Sequence, residues 1–197
     1  MTALQEKERY TLEEYLALER SGEVRYEYHR GQVFAMAGGT LAHSTICHNT
    51  AGELREATKR TGKCFSFNSE TKIEISPGGR YVYPDAGLAC PTAKESDRLS
   101  GAIINPTLLV EVVNTSSADY DRGEKMHYYF SLPTLKEYLL IHQDHFEVTI
   151  YRRRGDLMRI DRYQGLAAAV PLESIEAEIL LADIYRNVQL PEVESDD

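Results

Sequence analysis

A carboxylate in the middle of an apolar run is the first residue in this sequence that could do chemistry. Leu108-Leu-Val-Glu-Val-Val113 has the length of a strand. Side chains alternate across a strand, so Leu108, Val110 and Val112 point one way and Leu109, Glu111 and Val113 the other. Glu111 is therefore expected to be buried or half-buried, which is costly unless a cation or hydrogen bonds compensate the charge. A second acid, Asp85, stands in Tyr83-Pro-Asp-Ala-Gly-Leu88. Alternation there would align Tyr81, Tyr83, Asp85 and Gly87 on one face, with Pro84 weakening the ladder. One loop separates the two segments, a spacing that suits neighbouring strands. Two carboxylates brought together repel unless a divalent cation or a shared proton intervenes, and oxygen ligands favour Mg²⁺ or Mn²⁺.

The elements that must position these acids can be read from periodicity and punctuation. Thr11-Leu-Glu-Glu14 is a capping box opening a helix through Leu12, Tyr15, Leu16 and Glu19 that Gly22 should stop. Arg25 to Glu27 and Gln32 to Met36 read as a hairpin with Gly31 in its turn. After Gly38-Gly39, a helix is expected from His43 to Arg60, with Ile46, Thr50, Leu54 and Ala57 on one face and Gly62 at its end. Cys64 to Ile75 and Arg80 to Cys90 read as one antiparallel hairpin around Pro77-Gly78-Gly79. The strand of Glu111 reads as central. Beyond it come a helix from Asp121 to Phe130 capped by Ser117 or Asp119, a strand from Glu137 to His142, and a hairpin of Phe146 to Arg152 with Met158 to Tyr163 around Gly155. This order predicts an α+β (α/β) fold, a mixed β-sheet flanked by helices with added N-terminal and C-terminal hairpins. A single domain over 1–190 and a frayed acidic tail over 191–197 are expected.

Composition narrows the function classes. The 197 residues carry 22 Lys plus Arg against 31 Asp plus Glu, a net charge of −9, which argues against a general electrostatic grip on nucleic acid and leaves only local contact. With 42% hydrophobic and 27% charged residues the chain lies outside the disordered regime. Cys47, Cys64 and Cys90 form no C-x-x-C pair and suggest neither a disulfide framework nor a zinc site, so a reducing cytoplasm is the expected setting. No leader-like apolar stretch opens the chain, and no run approaches the ~20 apolar residues of a membrane helix, so a soluble, unprocessed, cytoplasmic chain is expected. No G-x-S-x-G elbow, P-loop or dinucleotide fingerprint is present. His43 and His48 are five apart, and His142 with His145 sits at a strand end, neither of which suits zinc hydrolysis. Arg152-Arg-Arg154 reads as a solvated hairpin tip, Tyr128, Tyr129 and Tyr138 as core. Exposed sheet edges suggest a homodimer.

The string Tyr26-Glu27, Gly31, Gly38-Gly39, His43, Tyr83-Pro-Asp85, Pro106, Glu111-Val-Val113, Asp121-Arg-Gly-Glu-Lys125, Tyr128 and Glu137-Tyr138 resembles the Uma2 family of restriction-endonuclease-like proteins. Within it, Pro84-Asp85 followed by Glu111 resembles the PD-(D/E)XK nuclease signature. The resemblance covers nearly the whole chain. It implies a restriction-endonuclease-like fold and a Mg²⁺- or Mn²⁺-dependent endonuclease acting on nucleic acid, DNA in the first place, with Asp85, Glu111 and the Val112 carbonyl as metal ligands. Two residues after Glu111, where the signature has lysine, this chain has Val113. The resemblance points to Lys125 as the catalytic lysine, with Lys72 as competitor; Glu27 is a further candidate for the metal shell and His43 for the substrate phosphate. Each has a plain structural alternative. Asp85 suits a turn, Glu111 a core ion pair, Glu27 a hairpin pair and His43 a helix end, while Lys125 suits a surface pair with Asp121 worth about 0.3–0.5 kcal/mol. Val113 and the acidic total charge also suit a catalytically inactive, nuclease-fold binding or assembly module.

Overall fold

The computed structural model describes residues 2–3, 9–21, 24–36, 38–114 and 121–190. The chain opens with a short strand, β1 (Thr2–Ala3), and helix α1 (Leu12–Ser21). The capping box forms: the Glu14 amide donates to the Thr11 hydroxyl at 3.2 Å and the Thr11 amide to the Glu14 carboxylate at 2.7 Å. Two of the amides that a helix start leaves without partners are thereby satisfied. The stop expected at Gly22 lies outside the described residues. β2 (Tyr26–His29) and β3 (Gln32–Ala35) make the expected hairpin. Helix α2 (Leu41–Thr61) begins two residues earlier than expected because Thr40 caps it, accepting the His43 amide at 3.1 Å. Its buried face carries Ile46, Thr50, Leu54 and Ala57, and Gly62 ends it at φ 67°.

Cys64–Ile75 and Arg80–Cys90 do not form one hairpin. Each is broken in the middle, giving β4 (Phe65–Asn68), β5 (Lys72–Ser76), β6 (Arg80–Val82) and β7 (Ala86–Ala89). A turn closed by the Thr71 amide on the Asn68 carbonyl breaks the first, and Pro84, which has no amide hydrogen, lies in the break of the second. β5 and β6 join the sheet of β2, while β4 and β7 join another. The single face expected for Tyr81, Tyr83, Asp85 and Gly87 is lost at this break, because Asp85 begins a new direction of chain.

β8 (Ala102–Ile103) and β9 (Pro106–Val113) follow. A π-helical turn, Asp121–Lys125, then runs into α3 (Met126–Phe130), and the caps expected at Ser117 or Asp119 lie outside the described residues. β10 (Glu137–His142), β11 (Glu147–Arg154), β12 (Leu157–Gln164), β13 (Ala169–Leu172), β14 (Ala177–Leu180) and α4 (Leu181–Ile184) complete the fold. The first sheet has the order β1-β3-β2-β6-β5-β8, the second β12-β11-β10-β9-β7-β4, and β13 and β14 pair separately. β9 is central, parallel to β10 and antiparallel to β7, so the sheet is mixed as expected.

Alternation along β9 divides the core. Leu108, Val110 and Val112 pack with Ile46 and Leu54 of α2, whereas Leu109 and Val113 face the other side with Ile73, Tyr129 and Tyr138. A third cluster, Tyr15 with Tyr28 and Tyr81, lies under α1.

Two further expectations are corrected. Cys64 and Cys90 form a disulfide with their Cα atoms 4.4 Å apart. They flank β4 and β7, and the pairing of Phe65 with Ala89 sets them opposite one another, a register that spacing along the chain does not reveal. The bond also removes the support that cysteine usage lent to a reducing compartment. Arg152 is no solvated tip: it is 1% exposed, donates to Glu137 at 3.0 Å and pairs with Asp161, while Arg153 donates to the carbonyls of Phe130, Leu132 and Leu135.

Candidate active site

The break between β6 and β7 places Asp85 beside β9. Its amide donates to the Val110 carbonyl at 3.0 Å, and its Oδ2 accepts the Val112 amide at 2.7 Å. The amide and carbonyl of a strand residue share one edge, so the Val112 carbonyl lies on the Asp85 side of β9. Glu111 points to the opposite face from Val112, between the two sheets, and is buried.

The π-helical turn carries Lys125 inward to this acid. Its Nζ is 2.9 Å from Glu111 Oε1 and 3.8 Å from both Glu27 Oε1 and Asp121 Oδ1. Tyr129, one turn on, donates its hydroxyl to Glu111 Oε1 at 2.6 Å. Glu27 enters from β2; its Oε1 accepts the Tyr83 amide at 3.1 Å, while its buried Oε2 has no hydrogen-bond partner and stands 3.4 Å from His29 Nε2. In the first turn of α2, His43 Nε2 lies 3.5 Å from Asp85 Oδ2, with the Cys47 sulfur 3.5 Å from His43 Nδ1. Gly39 leaves room for that imidazole, since a Cβ there would stand 2.5 Å from Nδ1. Lys72 is elsewhere, paired with Glu19 against the rings of Tyr15 and Tyr83.

Asp121, Tyr129 and Cys47 belong to this cluster although chemistry alone did not single them out. Asp121, Lys125 and Tyr129 recur every fourth residue, as do His43 and Cys47, which is the spacing that aligns side chains on a helix. Tyr129 read as core because its ring is core and only its hydroxyl is not.

Three carboxylates, Glu27, Glu111 and Asp121, surround one ammonium group, and Asp85 lies within its field. Burial opposes the charge of Lys125, yet Glu111, Glu27 and Asp121 hold its pKa well above the ordinary value. Burial drives Glu111 well above the carboxylate range despite Lys125, and Asp85 and Asp121 push it the same way. Asp85 stays below its ordinary value because hydrogen bonds from His43 and the Val112 amide outweigh its burial. Cys47 is pushed far up by burial and by Asp85, so it is a thiol and no nucleophile. The centre is therefore short of positive charge. The oxygen donors of Asp85, Glu111 and Val112 are of the kind that suits a hard divalent cation.

A mixed sheet flanked by helices, with acids on and beside its central strand, defines a restriction-endonuclease-like α+β protein. A crystal structure described as "a putative nuclease belonging to DUF820" from Anabaena variabilis shares this fold, with a TM-score of 0.69 at 17% identity over 89% of this chain and 97% of that chain. The chain belongs to the Uma2 family, described as "Putative restriction endonuclease", whose model matches residues 12–188. It is similar to two uncharacterized proteins of Synechocystis sp. One, slr1290, is 33% identical over 187 residues, 89% of this chain and 91% of that protein. The other, sll1609, is 32% identical over 147 residues, 74% of this chain and 82% of that protein. Among the described residues, no helix is long and apolar enough to cross a membrane.

Proposed function

We propose that this chain is a metal-dependent nuclease of the PD-(D/E)XK type, hydrolysing phosphodiester bonds of nucleic acid, with DNA as the first substrate to test. The observation that carries the reading is the convergence of Lys125 and Glu111 beside Asp85 at the edge of β9. Asp85, Glu111 and the Val112 carbonyl would hold Mg²⁺ or Mn²⁺, with Glu27 a further candidate for the metal shell. Such a cation supplies charge neutralisation at the scissile phosphate and makes water easier to deprotonate. Lys125 takes the role of the lysine missing at Val113, offsetting negative charge that develops on the phosphate. His43, partly exposed beside Asp85, is the candidate to face the substrate phosphate. The negative total charge confines binding to this local centre.

One observation favours a second reading, a nuclease-fold binding or assembly module without turnover: Glu111 is already held by Lys125 and Tyr129. Purified protein incubated with plasmid, single-stranded DNA and RNA in Mg²⁺ or Mn²⁺ decides between them. Cleavage that requires the metal and falls at least about 100-fold in Asp85→Ala and Lys125→Met supports the nuclease. No cleavage, or cleavage indifferent to Asp85→Ala, rejects it. Size measurement in the same preparations tests whether the chain works as a homodimer.

A further inference from the structure

A second cluster of ligand-type side chains lies away from Asp85, on the turn between β10 and β11. His142, His145 and Glu147 each offer one ligand atom, and these atoms lie within 4.8 Å of one another. The imidazole rings are tilted by 36° to one another, with centroids 4.2 Å apart. His142 Nε2 stands 3.8 Å from Glu147 Oε1, and His145 Nε2 stands 3.9 Å from Glu147 Oε2. Both gaps are too long for hydrogen bonds. They are the gaps an ion leaves between its ligands: donors about 2.0–2.1 Å from zinc lie up to about 4.2 Å apart.

The surroundings are built as the outer shell of a metal site is built. Asp144 Oδ1 is 2.6 Å from His145 Nδ1, an arrangement that puts the proton on Nδ1 and leaves the Nε2 lone pair aimed at the gap. The Glu147 carboxylate is fixed by Thr149 at 3.2 Å and Gln164 at 2.6 Å. The turn itself is clamped by the Tyr185 hydroxyl, within reach of the carbonyls of His142 at 2.7 Å, His145 at 3.1 Å and Glu147 at 2.9 Å. His142 is almost wholly buried, and its Nδ1 has no hydrogen-bond partner. A cation already answers this cluster: the Arg122 guanidinium sits 3.0 Å from His142 Nε2.

We propose that His142, His145 and Glu147 form a binding site for Zn²⁺, with Arg122 occupying the cation position when zinc is absent. Two imidazoles and a carboxylate suit a borderline ion of the zinc class rather than Mg²⁺, and half-exposed His145 leaves the fourth position open to solvent. The site is independent of the nuclease reading, and it uses no residue of the Asp85 centre.

The test uses full-length Asp85→Asn/Cys47→Ser protein, which disables the other group of ligand-type side chains, His43, Cys47 and Asp85, titrated with Zn²⁺ against a chromophoric chelator and with Co²⁺ as a spectroscopic probe. The expected results are one equivalent of tightly bound Zn²⁺, visible Co²⁺ bands without thiolate charge transfer, at least 100-fold weaker binding on adding His145→Ala, and 10–100-fold weaker binding with Asp144→Asn. Adding Arg122→Ala should tighten binding by removing the competing cation. Thermal melts of each variant confirm folding, and His145, at the surface, is replaceable without opening the core. No uptake below millimolar Zn²⁺, or uptake indifferent to His145→Ala, overturns the site; weaker binding in Arg122→Ala overturns the role given to that arginine.

Discussion

Lys125 Nζ and the Tyr129 hydroxyl meet on one atom, Oε1 of Glu111, at 2.9 Å and 2.6 Å. The two donors are four residues apart, so one face of the π-helical turn and α3 supplies both. An acid inside the sheet is thus compensated by a single short segment. Lys125 also faces Glu27 and Asp121, and this shared ammonium makes the acids of the cluster unequal in what their removal should do.

Removing the lysine is expected to be worse than removing the acid. Lys125→Met leaves Glu111, Glu27 and Asp121 buried without their common cation, and loss of one partner from a buried ion pair costs about 3–5 kcal/mol. Glu111→Gln keeps an oxygen for Tyr129 and leaves Lys125 with Glu27 and Asp121, so it should cost less than half as much. Urea denaturation of the two variants checks the order, and the reverse order would mean that Lys125 is not the organising charge.

Tyr129→Phe should cost about 1–3 kcal/mol, the penalty of taking a hydrogen bond from a buried acceptor. Because both groups touch Glu111, Tyr129→Phe combined with Glu111→Gln should be non-additive by at least about 0.5 kcal/mol. Strict additivity in the same denaturation series would sever the link between hydroxyl and carboxylate.

What the sequence made legible was local. Thr11 with Glu14, the buried face Ile46, Thr50, Leu54 and Ala57, and the alternation around Glu111 all follow from spacing within one element. What it hid was pairing between elements. The Cys64–Cys90 bond depends on the register of β4 against β7, and the burial of Arg152 depends on Glu137 and Asp161 arriving from neighbouring strands. The same limit separates Lys125 from Lys72: each precedes or follows an acid in sequence, and only packing puts one against Glu111 and the other against Glu19.

Buried phenols set a limit on stability in base. Burial raises Tyr15, Tyr81, Tyr83 and Tyr185 above the ordinary tyrosine value, and Tyr129 and Tyr138 well above it. The neutral phenol is therefore favoured in the fold, and the unfolded chain releases these protons first. Stability should be intact below pH of about 10 and fall as pH rises beyond it, by about 1.4 kcal/mol per unit for each such tyrosine. The chain has 13 tyrosines and no tryptophan, so tyrosinate absorbance reads the event directly. A cooperative rise coincident with loss of circular dichroism is expected; gradual titration with the fold intact would contradict it.

Among the described residues Arg152 is the largest fully buried side chain, held by Glu137 and Asp161 and donating to the Pro171 carbonyl. Arg152→Lys cannot reproduce this fork, and Arg152→Met leaves Glu137 buried without its cation. Both should destabilise, the methionine by about 3–5 kcal/mol. A melting temperature unchanged in either variant would show that the pair contributes nothing.

Gly87 gives the last prediction, because it lies between β4 and β9 two residues after Asp85. A Cβ there would stand 2.5 Å and 2.6 Å from the Phe67 ring and 2.7 Å from the Leu108 carbonyl. The ring could turn, but the carbonyl belongs to the ladder between β7 and β9 and cannot yield without moving the strand. Gly87→Ala should therefore cost about 1–3 kcal/mol as overpacking. It should also pull Asp85 from the Val112 amide, so that Mn²⁺ binding falls even where the protein is still folded. Gly52→Ala is the matched comparison: it lies inside α2 with nothing within 4 Å of the added carbon, and it should stabilise by about 0.5–1 kcal/mol through helix propensity alone. Equal effects at the two positions would mean that close approach of β7 to β9 does not hold Asp85 in place.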